Sequence, residues 1–226
     1  MALKQFFSLI FALFLFSCSF EQEEQLNYEA EFNSIVSEFE KSSILNFDRK
    51  DIEKDTFLEQ FITKLDKQKN TFLQEDLNKF REDSNNKIKS NYQQLKEVVD
   101  LYYKRYEESL KTRRQYLNNF EFNYNKNEQI NLKPRDSFFQ NKQEKQDYQR
   151  KIVKNELINL LLENKNNFEA KSELKKTYTN RLSSISKIRE SDRFGILANN
   201  FLSMLDPHAS YFSERDLENW NLRMNL

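Results

Sequence analysis

The chain has 226 residues, and its 36 basic and 36 acidic side chains give a formal net charge of zero, which provides no net field to attract nucleic acid. A chain of this length suits one domain or at most two small ones. One glycine and two prolines are too few for the turns of a sheet protein, so the composition predicts an all-α fold.

The N-terminal residues have the pattern of an export signal. Lys4 precedes an apolar run over residues 6–16, which is too short for an ordinary membrane-spanning helix. The segment Leu15-Phe16-Ser17-Cys18 resembles the lipobox of bacterial lipoproteins, in which the cysteine is lipid-modified after cleavage. A multiply acylated cysteine would hold the protein stably at a membrane.

These features divide the chain into three parts. We expect a lipoprotein signal peptide at residues 1–17, an acidic tether at residues 18–27 and a helical domain at residues 28–226. The domain would be periplasmic and anchored to a membrane through lipidated Cys18, while plain secretion and an uncleaved anchor are the alternatives. Because Cys18 is the only cysteine, no disulfide can form within the domain.

Apolar residues at helical spacing predict a multi-helix domain. The predicted helices lie near residues 26–45, 52–65, 84–120, 148–161, 168–188 and 192–205. The longest of them would extend about 50 Å at 1.5 Å per residue and form the central spine of the fold. Gly195 lies inside the last one, where glycine costs about 1 kcal/mol relative to alanine. Close packing beneath an aromatic ring would explain this glycine.

One face of the predicted spine carries apolar residues in alternating steps of four and three. They are Ile88, Tyr92, Leu95, Val99, Tyr102 and Tyr106. This spacing is typical of a coiled-coil seam. We favour a partner helix within the same domain, and self-association of two chains is the alternative.

Two further stretches of the sequence each leave alternatives open. Residues 118–141 contain Pro134 and a run of asparagines, which predict a loop that is either a surface connection or a hinge. The basic cluster at residues 104–114 is interleaved with tyrosines and could in principle contact phosphates and bases. Glu107 and Glu108 interrupt it, so we favour a solvated helix face over a protein-binding patch and expect no nucleic acid.

A forced helix stop ends the last predicted helix, and a new helix start follows it. The residues that form this motif are Leu205, Asp206, Pro207, His208, Tyr211, Phe212, Ser213, Asp216, Leu217 and Trp220. Pro207 disfavours helical geometry at Asp206 and cannot itself continue the hydrogen-bond ladder. The Asp206 carboxylate can close a turn on the backbone near His208.

The residues after this turn predict how it is attached and where the next helix begins. Tyr211 and Phe212 are expected to anchor the turn as two aromatic side chains. Ser213, with Asp216 three residues later, resembles a capping box. Trp220 then lies on one face of the new helix, close to the leucine three residues before it.

The same design occurs 140 residues earlier in the chain. Residues 65–80 align without a gap with residues 205–220, and leucine, aspartate, phenylalanine, aspartate and leucine recur at the same places. Phe80 lies opposite Trp220. We therefore expect two similar helix–turn–helix corners in one helical body, because the repeat is too short and too widely spaced for a solenoid.

The segment from Leu205 to Ser213, within residues 201–220, is similar to the end of the N-terminal helical domain of tail-specific (C-terminal processing) proteases. In that family a PDZ domain and a serine–lysine catalytic domain follow, and the helical part helps to enclose the proteolytic chamber. The resemblance implies a non-catalytic domain whose partners are the PDZ and protease domains, polypeptide substrates and an adaptor protein. The catalytic serine and lysine of the family cannot be assigned to any position in this chain.

The residues themselves supply little catalytic or metal-binding chemistry, and we predict no catalytic residue, metal site or cofactor. His208 is the only histidine, and no nucleophile with an oriented base is recognisable around it. Asp206 and Asp216 could pair as carboxylates, but each has a local capping role. A zinc site normally draws on several histidines or cysteines, and a phosphate cradle needs several glycines.

Two functions follow from these observations. The favoured one is a non-catalytic helical domain of a periplasmic tail-specific serine protease that degrades or processes exported proteins from their C-termini. The alternative is a free-standing helical lipoprotein that acts as a protein-binding scaffold, motivated by Cys18 and the seam at residues 88–106. An enzyme complete within this chain is the least favoured class.

Overall fold

The computed structural model describes residues 27–42, 50, 52, 55–85, 90–163 and 165–224. Across these residues the chain is all-α, as the composition predicts, and contains eight helices. They are α1 (Tyr28–Ser42), α2 (Asp55–Leu65), α3 (Gln74–Asn85), α4 (Asn91–Asn119), α5 (Lys142–Leu162), α6 (Asn167–Ser186), α7 (Glu190–Leu205) and α8 (Glu214–Met224). None of them is both long enough and apolar enough to cross a membrane. The predicted signal peptide, Cys18 and all of the tether except Asn27 lie outside the described residues.

The hydrophobic core has two parts that share the central helix α4. The first core packs the N-terminal half of α4 against α1, α2, α3 and α7, and the second core packs its C-terminal half against α5 and α6. Buried residues of the first core include Phe32, Phe61, Phe72, Val98 and Phe201. Those of the second core include Leu110, Val153, Leu157, Ala170 and Tyr178. The predicted spine is therefore the helix on which both cores depend.

The central helix begins later than its apolar pattern predicts. Ser84 lies in the last turn of α3, and α4 starts at Asn91 with Ser90 as its N-cap. The Ser90 hydroxyl accepts a hydrogen bond from Gln93 N at 3.3 Å, which satisfies one of the free amides of the first turn. The 29 residues of α4 extend about 44 Å at 1.5 Å per residue.

The seam of α4 packs against other helices of the same chain. Tyr92, Leu95 and Val99 are buried in the first core, where the ring centroids of Tyr92 and Phe32 lie 5.8 Å apart. An internal partner is therefore confirmed for these positions, because their apolar surface is already covered. Ile88, at the start of the predicted seam, lies outside the described residues.

The predicted loop is present at residues 120–141, but part of it is buried. Phe138 and Phe139 lie in the interior, and the Phe138 ring centroid is 6.3 Å from that of Phe72. Phe139 O also accepts a hydrogen bond from Gln74 N at 2.8 Å. A surface connection is therefore the wrong description for the end of this loop, which packs against the start of α3.

A partly buried ion-pair group fixes the middle of the same loop to α5. Glu128 accepts hydrogen bonds from Arg150 Nη2 at 2.6 Å and from Lys154 Nζ at 2.9 Å. These bonds lower the pKa of Glu128 to about 2. Lys154 Nζ also donates to Lys126 O at 2.8 Å. The loop is thus tied to both α3 and α5, which favours a fixed connection over a hinge.

Two arginines of the basic cluster face the interior. The side chains of Arg105 and Arg113 are each 14% exposed. Arg105 pairs with Asp76 on α3, and Arg113 Nε donates to Gln149 Oε1 on α5 at 2.5 Å. A solvated face is therefore wrong for these two arginines, although Lys111 of the same cluster is exposed.

Asparagine side chains cap the two helices of the second core. Asn141 accepts a hydrogen bond from Glu144 N at 2.9 Å, so α5 begins two turns before its apolar pattern does. The early turns of α5 are polar, and periodicity could not detect them. At α6, Asn166 and Glu169 form a reciprocal capping box, which confirms the predicted interruption between the two helices.

Gly195 in α7 is not explained by close packing. A β-carbon built on this residue would have no atom of another group within 4 Å, so the expected aromatic ring above it is absent from the described structure. The Gly195 carbonyl accepts a hydrogen bond from Asn199 Nδ2 at 2.9 Å, but any residue could provide that carbonyl. Nothing in the described structure requires a glycine here.

Gly195→Ala is expected to stabilise the protein by about 0.5–1 kcal/mol, because alanine restricts the unfolded chain and fits the helix without contact. Gly195→Ser should give a smaller gain, since serine has a lower helix propensity than alanine. Urea unfolding followed by circular dichroism measures both. A loss of stability in the alanine variant would show that the glycine is needed.

Candidate functional site

Two helical corners contain the same backbone hydrogen bonds. We call residues 65–80 the first corner and residues 205–220 the second corner. In the first corner the bonds run from Asp66 N to Ile62 O, from Lys69 N to Asp66 O and from Leu73 N to the Asp76 carboxylate. In the second they run from Asp206 N to Leu202 O, from Ala209 N to Asp206 O and from Ser213 N to the Asp216 carboxylate. The repeat predicted from the sequence is therefore confirmed, because these three hydrogen bonds join equivalent positions in the two corners.

Asp206 ends α7 as predicted. Its Oδ1 accepts a hydrogen bond from His208 N at 2.8 Å, which closes the turn around Pro207. Pro207 and His208 are both exposed. In the first corner the Asp66 carboxylate accepts from three backbone amides, at residues 70–72. Asp66 therefore accepts more backbone hydrogen bonds than Asp206 does, and it is also buried.

Ser213 and Asp216 form the predicted capping box at the start of α8. Asp216 Oδ2 accepts from Ser213 Oγ at 2.6 Å and from Ser213 N at 3.2 Å, and Asp216 N donates to Ser213 Oγ at 3.2 Å. Asp206 and Asp216 are therefore each engaged by their own turn. This arrangement holds two helix ends and gives neither carboxylate a reacting partner.

Tyr211 attaches the second corner to α7. Its backbone N donates to Asn199 Oδ1 at 2.8 Å, and Asn199 Nδ2 donates to its carbonyl oxygen at 3.1 Å. The Tyr211 ring meets the Phe194 ring edge-on, with centroids 5.2 Å apart. The expectation that both aromatic side chains anchor the turn is confirmed for Tyr211, whose ring packs on α7. It is wrong for Phe212, whose side chain remains half exposed.

The two corners differ in what covers their apolar side chains. Those of the first corner are buried: Phe72, Leu77 and Phe80. Their counterparts in the second corner are 50%, 48% and 51% exposed, respectively: Phe212, Leu217 and Trp220. We call these three residues the α8 surface. No other helix of the described part packs extensively on α8, so the second corner presents an apolar surface suited to protein contact.

A buried ion pair holds the first corner to α4. Arg105 Nη2 lies 2.6 Å from Asp76 Oδ1, and Arg105 Nε lies 3.0 Å from Asp76 Oδ2, which is bidentate geometry. The side chains are 14% and 6% exposed. The hydrogen bond to Asp76 raises the pKa of Arg105, so the arginine remains charged. The equivalent Asp216 in the second corner is exposed.

The described residues hold no group of three or more histidine, cysteine, aspartate or glutamate side chains placed to bind a metal ion. His208, the only histidine, lies in the exposed turn of the second corner. The chemistry that this corner offers is therefore an apolar surface beside two capped helix ends.

Comparison with known protein families supports the resemblance seen in the sequence. The family model described as the tail specific protease N-terminal domain matches residues 35–215. The chain belongs to this family. It is also 36% identical over 74 residues to the tail-specific protease of Haemophilus influenzae. That match covers 33% of this chain and 11% of the relative, so the chain spans only a small part of the length of the curated protein it matches.

Three side chains that position this tail-specific protease domain were not identified from the sequence. They are Arg105, Lys145 and Asn199. Asn199 bonds to Tyr211, which is 12 residues away in the sequence. Lys145 donates to the carbonyl oxygen of Thr71, which is 74 residues away. Contacts over such separations leave no local pattern.

Asp76→Ala is expected to lower the free energy of unfolding of this domain by about 3–5 kcal/mol, because it removes the bidentate, most buried partner of Arg105 and leaves only the more exposed Glu108 and Glu75. Asp216→Ala is the matched change in the second corner, and it should cost only about 0.5–2 kcal/mol, the usual cost of losing a helix cap. Urea unfolding of both variants measures the difference. Equal losses would mean that the buried ion pair adds nothing to the cap.

Proposed function

We propose that this chain is the non-catalytic N-terminal helical domain of a tail-specific serine protease that degrades or processes exported proteins from their C-termini. The family match over residues 35–215 carries this proposal. The similarity to the tail-specific protease of Haemophilus influenzae supports it. Because the match covers 11% of that relative, we assign cleavage of the substrate to other parts of the protease.

A serine and a lysine that share one acceptor in the described chain, Ser109 and Lys145, support a non-catalytic role for these two residues. Ser109 Oγ donates to Arg105 O at 2.8 Å, and Lys145 Nζ donates to the same oxygen at 3.3 Å. A serine nucleophile must give its proton to a neighbouring base, whereas here both groups donate to a helix carbonyl. Ser109 is also only 4% exposed, which leaves a substrate no access to it.

The α8 surface is the proposed contact between this domain and the rest of the protease. Its three half-exposed apolar side chains follow directly after the turn at Asp206. Large apolar side chains that are exposed and close together in the chain are typical of sites that another protein surface covers. The partners we propose are the PDZ and protease domains, with polypeptide substrates and an adaptor protein as further ones.

Cleavage of an unfolded, tagged substrate tests this function. The purified 226-residue chain is expected to produce no serine-dependent cleavage. In a full-length tail-specific protease that carries this domain, Trp220→Glu should lower the cleavage rate by about tenfold or more, since buried aromatic contacts contribute strongly to interfaces. Asn219→Glu, the neighbouring exposed position outside the α8 surface, adds the same charge and should leave the rate unchanged.

Two outcomes would contradict these proposals. Serine-dependent cleavage by the chain alone would place a catalytic site within it. Equal cleavage rates for Trp220→Glu and the unaltered protease would contradict the proposed contact. They would favour the second candidate function, a free-standing scaffold whose α8 surface binds another protein. That candidate is favoured only by the exposure of Phe212, Leu217 and Trp220.

We further propose that the protein is periplasmic and anchored to a membrane through lipidated Cys18. The lipobox-like residues 15–18 support this location. Cys18→Ser is expected to abolish incorporation of labelled fatty acid and to move the protein from the membrane fraction to the soluble fraction. Ser17→Ala keeps a small residue before the cysteine and should behave as the unaltered protein. Membrane retention of the Cys18→Ser variant would instead indicate an uncleaved N-terminal anchor.

A further inference from the structure

A small cavity lies between α4 and α5, beside the first corner. Its volume is about 90 Å³, and its lining includes Arg105, Glu108, Lys142, Lys145 and Gln149. A single water needs roughly 10–15 Å³ measured in this way, so the cavity can hold a group of several non-hydrogen atoms. Its lining is rich in hydrogen-bond donors, which indicates the chemistry of what it can bind.

Gln149 supplies the first donor. The residue is 1% exposed, and its Nε2 has no hydrogen-bond partner among the described residues. The guanidinium of Arg113 only donates, and its Nε lies 2.5 Å from Gln149 Oε1. The amide oxygen must therefore face Arg113, which leaves the two N–H groups of Nε2 without an acceptor. A buried donor without an acceptor is unfavourable, so an acceptor at this place would stabilise the site.

Lys145 supplies the second donor. It is 7% exposed, and its ammonium donates to Thr71 O and, at 3.3 Å, to Arg105 O. An ammonium has three N–H groups, so one remains for a further acceptor. Burial, followed by the nearby Arg105 charge, lowers the pKa of Lys145 to about 8. A negative charge in the cavity would stabilise the protonated form.

The charges around the cavity favour a monoanion. Arg105 pairs with Asp76, Glu75 and Glu108, so its charge is already balanced. The buried Lys145 ammonium instead donates to two carbonyl oxygens, so its positive charge is not balanced by them. A single negative charge would balance it, whereas a dianion would place an additional charge near Glu108, at a cost in repulsion.

We propose that this cavity binds a carboxylate group, with Gln149 Nε2 and Lys145 Nζ donating to its oxygens. A carboxylate carries one charge and two adjacent acceptor oxygens, which matches the donors and the charge of the lining. It could come from a small free acid or from the C-terminus of a polypeptide. The inference rests on α4, α5 and the first corner, and is independent of the proposed function.

Titration of the isotope-labelled chain with sodium acetate tests the site. The side-chain amide resonances of Gln149 are expected to shift and saturate, while sodium chloride at equal ionic strength should leave them in place. Gln149→Glu keeps the acceptor for Arg113 but replaces the amide donor with a negative charge, and it should weaken acetate binding at least tenfold. Gln143→Glu makes the same change on an exposed part of α5, outside the lining, and should bind acetate normally.

A second titration separates the two sources of the carboxylate. A short peptide with a free C-terminus that binds at least tenfold more tightly than acetate, and loses that affinity when its C-terminus is amidated, would identify a polypeptide tail as the ligand. Equal affinities of peptide and acetate would identify a free acid. If neither probe produces saturable shifts at Gln149, or if Gln149→Glu binds acetate as well as Gln143→Glu does, the proposal is wrong and the cavity holds water only.

Discussion

The ion pair between Arg105 and Asp76 joins parts of this domain that are far apart in the chain. Arg105 lies in α4 close to where the two cores meet, and Asp76 lies in the first turn of α3, where it also accepts from Leu73 N at 2.9 Å. The carbonyl oxygen of Arg105 accepts from Lys145 on α5. One residue thus fixes the first corner, the central helix and α5 relative to one another. Because Asp76 is buried and Arg105 is largely buried, loss of either partner would leave a charge that water solvates poorly.

The duplicated corner shows how the same local structure can serve two purposes. In both copies an aspartate ends one helix and a second aspartate caps the next, and these bonds form within a few residues. The first copy is covered by α4 and by Phe138 and Phe139, so it belongs to the core. The second is held to α7 through Asn199 and Tyr211 but keeps the α8 surface exposed. The difference lies in the surroundings and not in the turn.

The two proposed binding features use different parts of the domain. The α8 surface is apolar and would contact the rest of a tail-specific protease, whereas the cavity between α4 and α5 is polar and would take a carboxylate. The cavity shares Arg105 and Lys145 with the attachment of the first corner. Its donors are therefore positioned by contacts that also stabilise the fold, which keeps them fixed before a ligand arrives.

The sequence by itself determined the helical class, the central helix, the interruption before α6 and the repeated corner, because caps, proline stops and apolar spacing act within a few residues. It also carried the motif at residues 205–213 that places the chain in its family. Only the tertiary structure decided which corner is buried, that Arg105 turns inward and that Phe138 enters the core. An arginine in an exposed ion pair and one in a buried ion pair have the same local pattern, since the difference depends on a partner many residues away.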